Sequence, residues 1–261
     1  MLASTDGEVI LSTPSQLPPG RRLRQKKTAS RTPRAPLTLE NVAEAAFQVI
    51  EREGLDFLTM RKLADELGIQ AASLYWHVKD KLDLIDLLAE ALFAGFVPEQ
   101  WAEGSPTAEG EEWRAHLSQF ARGFRRYLLS RRDAARILTN KFVMGPSLLR
   151  HLDEQLGWFR GAGVDDQAAA YGFYTTLVFV HGFVLWETSP LSAAVARGVE
   201  PRQYLDEMRT ELDDLNPDEF PHAHALADAL TRPGMDDRFT FGLNCLLDGF
   251  IQHPRLTPGQ A

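Results

Sequence analysis

Residues 59–81 read TMRKLADELGIQAASLYWHVKDK, and the fold turns on how this string divides. Thr59 is an N-cap before a short apolar period, Leu63, Ala64 and Leu67, and Gly68 ends it. A second, very short helix is predicted over 71–76, with Leu74 and Val78 available for packing. Two helices joined by a three- or four-residue turn containing Gly form the helix-turn-helix pattern. Upstream, Thr38 caps a helix whose inward positions are Leu39, Val42, Ala43, Ala46, Val49 and Ile50, and Gly54 stops it. Downstream, Asp80 caps the next helix, with Asp83 completing a carboxylate version of the capping box. Its expected buried stripe is Leu82, Ile85, Leu88, Ala89, Leu92 and Phe96. Helical period dominates beyond residue 38 and no alternating strand appears, so the fold class is all-α.

The 261 residues are 44% hydrophobic and 25% charged, the make-up of a soluble globular chain with ample core. The single cysteine, Cys245, excludes an internal disulfide framework and a cysteine-only zinc cage. No basic-then-apolar leader is present at the start, which favours a cytoplasmic location. The run QAAAYGFYTTLVFVHGFVLW, residues 167–186, carries no formal charge, yet acids flank it. It is expected to be a core helix and not a membrane span.

A net charge of −8 argues at first against nucleic acid, but the charge is unevenly spread. Residues 1–35 sum to +5 and have no apolar period, so a disordered basic arm is expected there. Residues 36–96 sum to −6, yet Arg61, Lys62, Lys79 and Lys81 all follow Thr59 closely. Lys81 at a helix start opposes the helix dipole, a placement that makes sense if the helix end and Lys81 grip a phosphate together. Tyr75 and Trp76 point about 100° apart on a helix, so one of them is left outward beside Ser73 and His77. An outward Tyr, Ser and His suit backbone and base-edge contacts.

These residues resemble a known family. The stretch LTMRKLADELGIQAASLYWHVKDKLDLIDLLAEAL, residues 58–92, resembles the DNA-binding region of the tetracycline-repressor (TetR-like) family, and LYWHVKDK is its most specific part. Similarity continues through Trp113, Phe124-Arg125, Leu128-Leu129-Ser130, Arg132-Asp133, Glu154-Gln155-Leu156, residues 182–185 and residues 239–243. The resemblance implies an N-terminal three-helix DNA-binding head on a larger helical ligand-binding and dimerisation domain. The expected boundaries are 1–35 for the arm, 36–82 for the head and 83–256 for the body. It implies that Arg61 reads a guanine in the major groove, with Met60, Ala71 and Ala72 against bases. Ser73, Tyr75, His77 and Lys81 would then hold the DNA backbone. Ala71 and Ala72 stand where tetracycline-responsive members have glutamine and proline, so a different operator sequence is expected. Val97 and Leu138 replace the histidines those members use for drug and magnesium, and Trp186 replaces their metal-linked glutamate. Magnesium–tetracycline is therefore not the expected inducer, and no cofactor or metal is expected.

Where the family places its pocket, this chain offers Phe120, Phe124, Leu138, Gln155, Phe173, Leu177 and Trp186, with His181 nearby. Apolar walls with a single amide suit a flat, hydrophobic, weakly charged ligand. On the last helix, Phe239, Leu243, Leu246 and Phe250 share one stripe, and Gly242, Cys245 and Gly249 the next. Small beside large allows close helix approach, so this helix and the 167–186 helix are expected to build a four-helix interface between two copies. No Gly-rich phosphate loop, Ser/His/Asp ordering or paired-carboxylate motif stands out, and the protein is not expected to be an enzyme. The arginines at 122, 125, 126, 131 and 132 are expected to form a solvated face, with pairing to nearby acids as the variant of that reading, and His222 and His224 to be surface histidines.

The expected function is a homodimeric repressor bound to a palindromic double-stranded DNA operator and released by a small-molecule inducer. The alternatives are a transcriptional activator of the same fold, or a helical small-molecule-binding protein or enzyme that lacks specific DNA recognition.

Overall fold

The computed structural model describes residues 37–97, 110–139, 145–161, 163–231 and 234–252. The basic arm expected over 1–35 lies outside the described residues. Among these, all regular structure is helical.

The head opens with α1 (Leu39–Glu53), whose N-cap Thr38 accepts from the Asn41 N–H at 3.3 Å. Gly54 stops it at φ +94°, a left-handed backbone that glycine adopts without a Cβ clash. A single 3₁₀ turn (Leu55–Phe57) leads to α2 (Met60–Leu67), capped by Thr59 and ended by left-handed Gly68. The short α3 (Ala71–Leu74) follows. Leu63, Ala64, Leu74 and Val78 join the inner face of α1 in one small core.

Helix α4 (Lys81–Gly95) links this core to the rest. Asp80 accepts from the Asp83 N–H at 2.9 Å, and Asp83 accepts in return from the Lys79 N–H at 2.9 Å. The reciprocal cap thus reaches one residue further back than the usual box. Leu84, Ile85, Leu88, Ala89, Leu92, Phe93 and Phe96 are buried along α4. Leu82, expected among them, is 60% exposed, because period assigns a face and not how far along a helix the neighbours reach.

The body consists of α5 (Gly110–Leu129), α6 (Ala134–Thr139), α7 (Pro146–Gly161), α8 (Asp166–Arg197), α9 (Pro201–Asp213), α10 (Pro221–Ala225), α11 (Ala227–Thr231) and α12 (Met235–Gln252). Helix α4 packs on α1, α6 and α7, and α8 packs on α5, α7, α9 and α12. By length and apolarity α8 could cross a membrane. In the fold one face of it (Ala168, Ala169, Phe173, Thr176, Val180, Val184) is buried, while Tyr171, Tyr174, Val178 and Trp186 on the other are exposed. The uncharged run is therefore half core and half surface.

The arginines expected on a solvated face are in part structural. Arg125, with 12% of its side chain exposed, holds Glu187 of α8 in a two-pronged pair (2.6 and 2.9 Å) and Asp236 of α12 at 2.6 Å. Its guanidinium lies 4.7 Å from the Phe239 ring centre, so one cation pins three helices. Arg132 donates to the carbonyls of Glu51 and Arg52 at the end of α1. Asp133, left-handed at φ +59°, accepts from the Leu55 N–H at 2.8 Å, and Arg136 bridges Asp133 to Asp56. These contacts fasten the head to the body beside α4.

Candidate DNA-contact face and ligand site

The expected DNA-contact residues fall on the α2–α3 side of the head. Arg61, Ala71, Ala72, Ser73, Tyr75, His77 and Lys81 are all exposed, and Met60 is half-buried against the core. Helix α3 stops at Leu74, and Tyr75–His77 form a turn closed by N–H groups of His77 and Val78 on the Leu74 carbonyl. Both aromatics therefore face outward, Tyr75 at 49% and Trp76 at 89% exposure, where helical geometry required only one. Burying Leu74 and Val78 completely is what turns the pair out.

Charge on this face divides into committed and available cations. Lys62 pairs with Glu53 and sits 5.3 Å from the Phe57 ring centre. Arg52 pairs with Glu66, and that contact holds the Glu66 carboxyl below its ordinary range. Arg61, Lys79 and Lys81 form no ion pair among the described residues. They are the cations the head can offer to phosphate or base edges.

The far end of α4 enters an aromatic cluster. Phe96 lies 5.1 Å from Phe124, 5.8 Å from Phe120, 5.5 Å from Tyr127 and 5.5 Å from His151, ring centre to ring centre. Phe173 of α8 closes the cluster at 6.3 Å from Phe120. Gln155 of α7 is fully buried: its Oε1 faces His116 Nε2 at 3.2 Å, and its Nε2 has no hydrogen-bond partner. A buried amide nitrogen left without an acceptor costs about 1–3 kcal/mol, so it is a donor ready for an incoming oxygen. His116 stacks on Trp158 at 4.0 Å, and burial pushes its pKa below the ordinary imidazole value.

Of the expected ligand residues, Phe120, Phe124, Gln155 and Phe173 come together here, with Leu138 and Leu177 half-buried against the same core. His181 is committed elsewhere: its Nε2 lies 2.8 Å from the Ala135 carbonyl of α6. Trp186 does not join them. It is 80% exposed and borders a groove with Asp56, Arg136, Leu185, Thr188 and Ser189, because its neighbour Glu187 turns inward to Arg125.

The interface expectation on α12 needs the same correction. Phe239 and Leu243 are completely buried, Phe239 against Phe179 and Phe183 of α8, so they belong to the core of one subunit. Gly242 lies under the Phe179 ring, Phe250 packs on the core, Leu246 is half-buried and Gly249 is exposed. The outward stripe of α12 is instead Phe241 (74% exposed), Cys245 and Gly249. His222 and His224 are exposed on α10.

Sequence reasoning does not find the partners of Glu90, His151, Arg125 and Asp133, which lie far off along the chain. Asp133 stands out in the sequence only through the resemblance.

Residues 42–88 match the model of the bacterial regulatory proteins, tetR family, and residues 105–253 that of the tetracyclin repressor-like C-terminal domain. The class A tetracycline repressor protein from transposon 1721 of Escherichia coli is 35% identical over 211 residues, 81% of this chain and 89% of its own. The HTH-type transcriptional repressor DrrR1 of Streptomyces coeruleorubidus is 30% identical over 84% of this chain and 79% of its own. Among solved structures, the Streptomyces coelicolor TetR family protein ActR in complex with actinorhodin matches with a TM-score of 0.68 at 30% identity, covering 82% of this chain and 97% of that one.

Proposed function

The chain belongs to the tetR family of bacterial regulatory proteins, a ligand-responsive DNA-binding transcriptional regulator, and from that premise we propose that it is a cytoplasmic, homodimeric repressor. Its operator is palindromic, since two heads related by two-fold symmetry meet major grooves roughly 34–36 Å apart. Arg61 reads a base, and Tyr75, His77 and Lys81 hold the sugar–phosphate backbone. The three uncommitted cations on the α2–α3 face support this reading.

The inducer is a flat, hydrophobic, weakly charged molecule that enters among Phe96, Phe120, Phe124 and Phe173 and accepts from Gln155 Nε2. The orphaned buried amide of Gln155, held by His116 one turn from Phe120 on α5, is the single observation that carries this assignment. A relative that holds actinorhodin supports a small organic effector. Glu187, the nearest acid to the position of the family's metal-linked glutamate, is committed to Arg125, so the ligand is bound without a metal. The interface between copies is the exposed apolar face of α8 and α12: Tyr171, Tyr174, Val178, Trp186 and Phe241. Ligand acts through its differential affinity for two conformations, one of which separates the recognition helices.

The test is an electrophoretic shift on DNA flanking the protein's own gene, with and without a panel of planar aromatic ligands. The expected result is a specific shift that one ligand releases, and that Gln155→Ala makes insensitive to it. A protein giving no specific shift at any salt concentration overturns the regulatory reading.

A further inference from the structure

Two polar contacts join α4 to α7, and neither is needed to recognise DNA or ligand. Glu90 Oε1 of α4 accepts from the Ser147 N–H at 2.9 Å, in the first turn of α7. One turn further along α7, His151 Nε2 lies 2.9 Å from the Phe93 carbonyl and donates to it. That carbonyl is in the last turn of α4, where its backbone partner is the Phe96 N–H at 3.3 Å. Gly145, just before α7, is shaped to this arrangement: a methyl group there would overlap Glu90 Oε2, which is buried and accepts no hydrogen bond.

His151 and Gln155 lie four residues apart, so the His151 contact to α4 and the orphaned ligand donor share one stripe of α7, with the Ser147 N–H one turn before them. At its other end α4 begins at Lys81, capped by Asp80, about 14–18 Å from these contacts at 1.5 Å per residue. The geometry points to Glu90 and His151 as positioning residues that make α4 follow α7, transmitting ligand occupancy at Gln155 to the recognition helix. Glu90 is the stronger member, because it accepts at a helix N-terminus, where a carboxylate is favoured. Apolar side-chain contacts between α7 and α4 slide more readily than these directional hydrogen bonds. The assignment of the signal rests on the ligand site proposed above; the clamp itself does not.

Coupling is reciprocal, so DNA binding at the head must be felt on α7 as ligand binding on α7 is felt at the head. Hydrogen–deuterium exchange on the full chain can therefore be read with an operator duplex selected from random-sequence DNA, and no ligand. In the wild type, operator binding should slow exchange of α7 amides by about fivefold or more, the low end of ordinary allosteric coupling. Glu90→Ala should abolish that slowing, and Gly145→Ala should do the same by displacing the carboxylate while leaving Glu90 in place. Glu90→Gln, which keeps an acceptor for Ser147, should restore it. A purely structural role would instead raise α7 exchange equally with and without DNA. The proposal is overturned if operator leaves α7 exchange unchanged in the wild type, or if Glu90→Ala and Gly145→Ala retain the full effect. Gln155→Ala should leave operator-induced protection intact, so failure of the ligand-site reading is separable from failure of the clamp.

Discussion

Replacing Asp133 by alanine probes the fastening of head to body. The residue sits at φ +59°, a region that Asp and Asn tolerate and Ala does not. Its Oδ2 accepts from the Leu55 N–H, and Leu55 is 6% exposed, so alanine leaves a buried donor unpaired. Its Oδ1 also holds Arg136 at 3.0 Å. An orphaned buried N–H costs about 1–3 kcal/mol, and left-handed alanine adds about 1 kcal/mol. The expected loss is therefore about 3 kcal/mol, which for a domain of this size lowers Tm by roughly 6–12 °C. Asp133→Asn keeps both the backbone tolerance and an acceptor and should cost about 1 kcal/mol or less. Asp133→Gly relieves the backbone but not the lost bond, and should fall between them. Thermal and urea unfolding at one fixed protein concentration give the ranking, because dimer stability depends on concentration. If alanine and asparagine prove equal, the Asp133–Leu55 bond is not what holds the 3₁₀ turn, and the reasoning fails.

Arg61→Ala should weaken operator binding by about 1–3 kcal/mol and relax preference at one base pair, read by competition with operator variants. Lys81→Ala should weaken all sequences alike and flatten the dependence of log K on log salt by about 0.9 per subunit; a sequence-dependent loss would remove its phosphate role. Phe241→Glu places a charge on the exposed α12 stripe and should weaken dimerisation by about 2 kcal/mol or more, with sedimentation equilibrium reporting monomer. His116 has a pKa lowered by burial, so the unfolded chain takes up its proton first. Stability present above about pH 6.5 is then lost as pH falls toward the folded value. His116→Gln should reduce that fall in Tm, and an unchanged pH profile would show that another group is responsible.

The head was almost entirely legible in its sequence, because its signals are local. Thr38, Thr59 and Asp80 cap helices within three residues of the N–H groups they bind, and Gly54 and Gly68 end helices on their own dihedral angles. Where local rules ran out, so did the reading. Helix α3 ends at Leu74 because burying Leu74 and Val78 overrides helical continuation, which exposes Tyr75 and Trp76 together. On α12 the large residues marked an apolar stripe correctly, but period could not say whether it meets the same subunit or another copy. Phe239 and Leu243 turn inward, and Phe241 is left outside. Arg125, Glu90 and Asp133 act across 57 to 111 residues of chain, a separation at which no spacing rule operates. Gln155 was nameable as a lone amide among aromatics, but only the fold shows that half of it lacks a partner.

The shortage of free cations on the head sets how the protein finds its target. With Arg61 on a base, Lys79 and Lys81, doubled in a dimer, can displace counterions from about four phosphates, a salt slope of roughly −4 from the folded body. The acidic residues around them repel the duplex wherever those contacts are imperfect. Such a body spends little time on random DNA, sliding short distances and hopping between distant segments. Occupancy of its site is then governed by copy number and by the fit of a few side chains, so that loss of operator contact on ligand binding is followed by prompt escape from the chromosome.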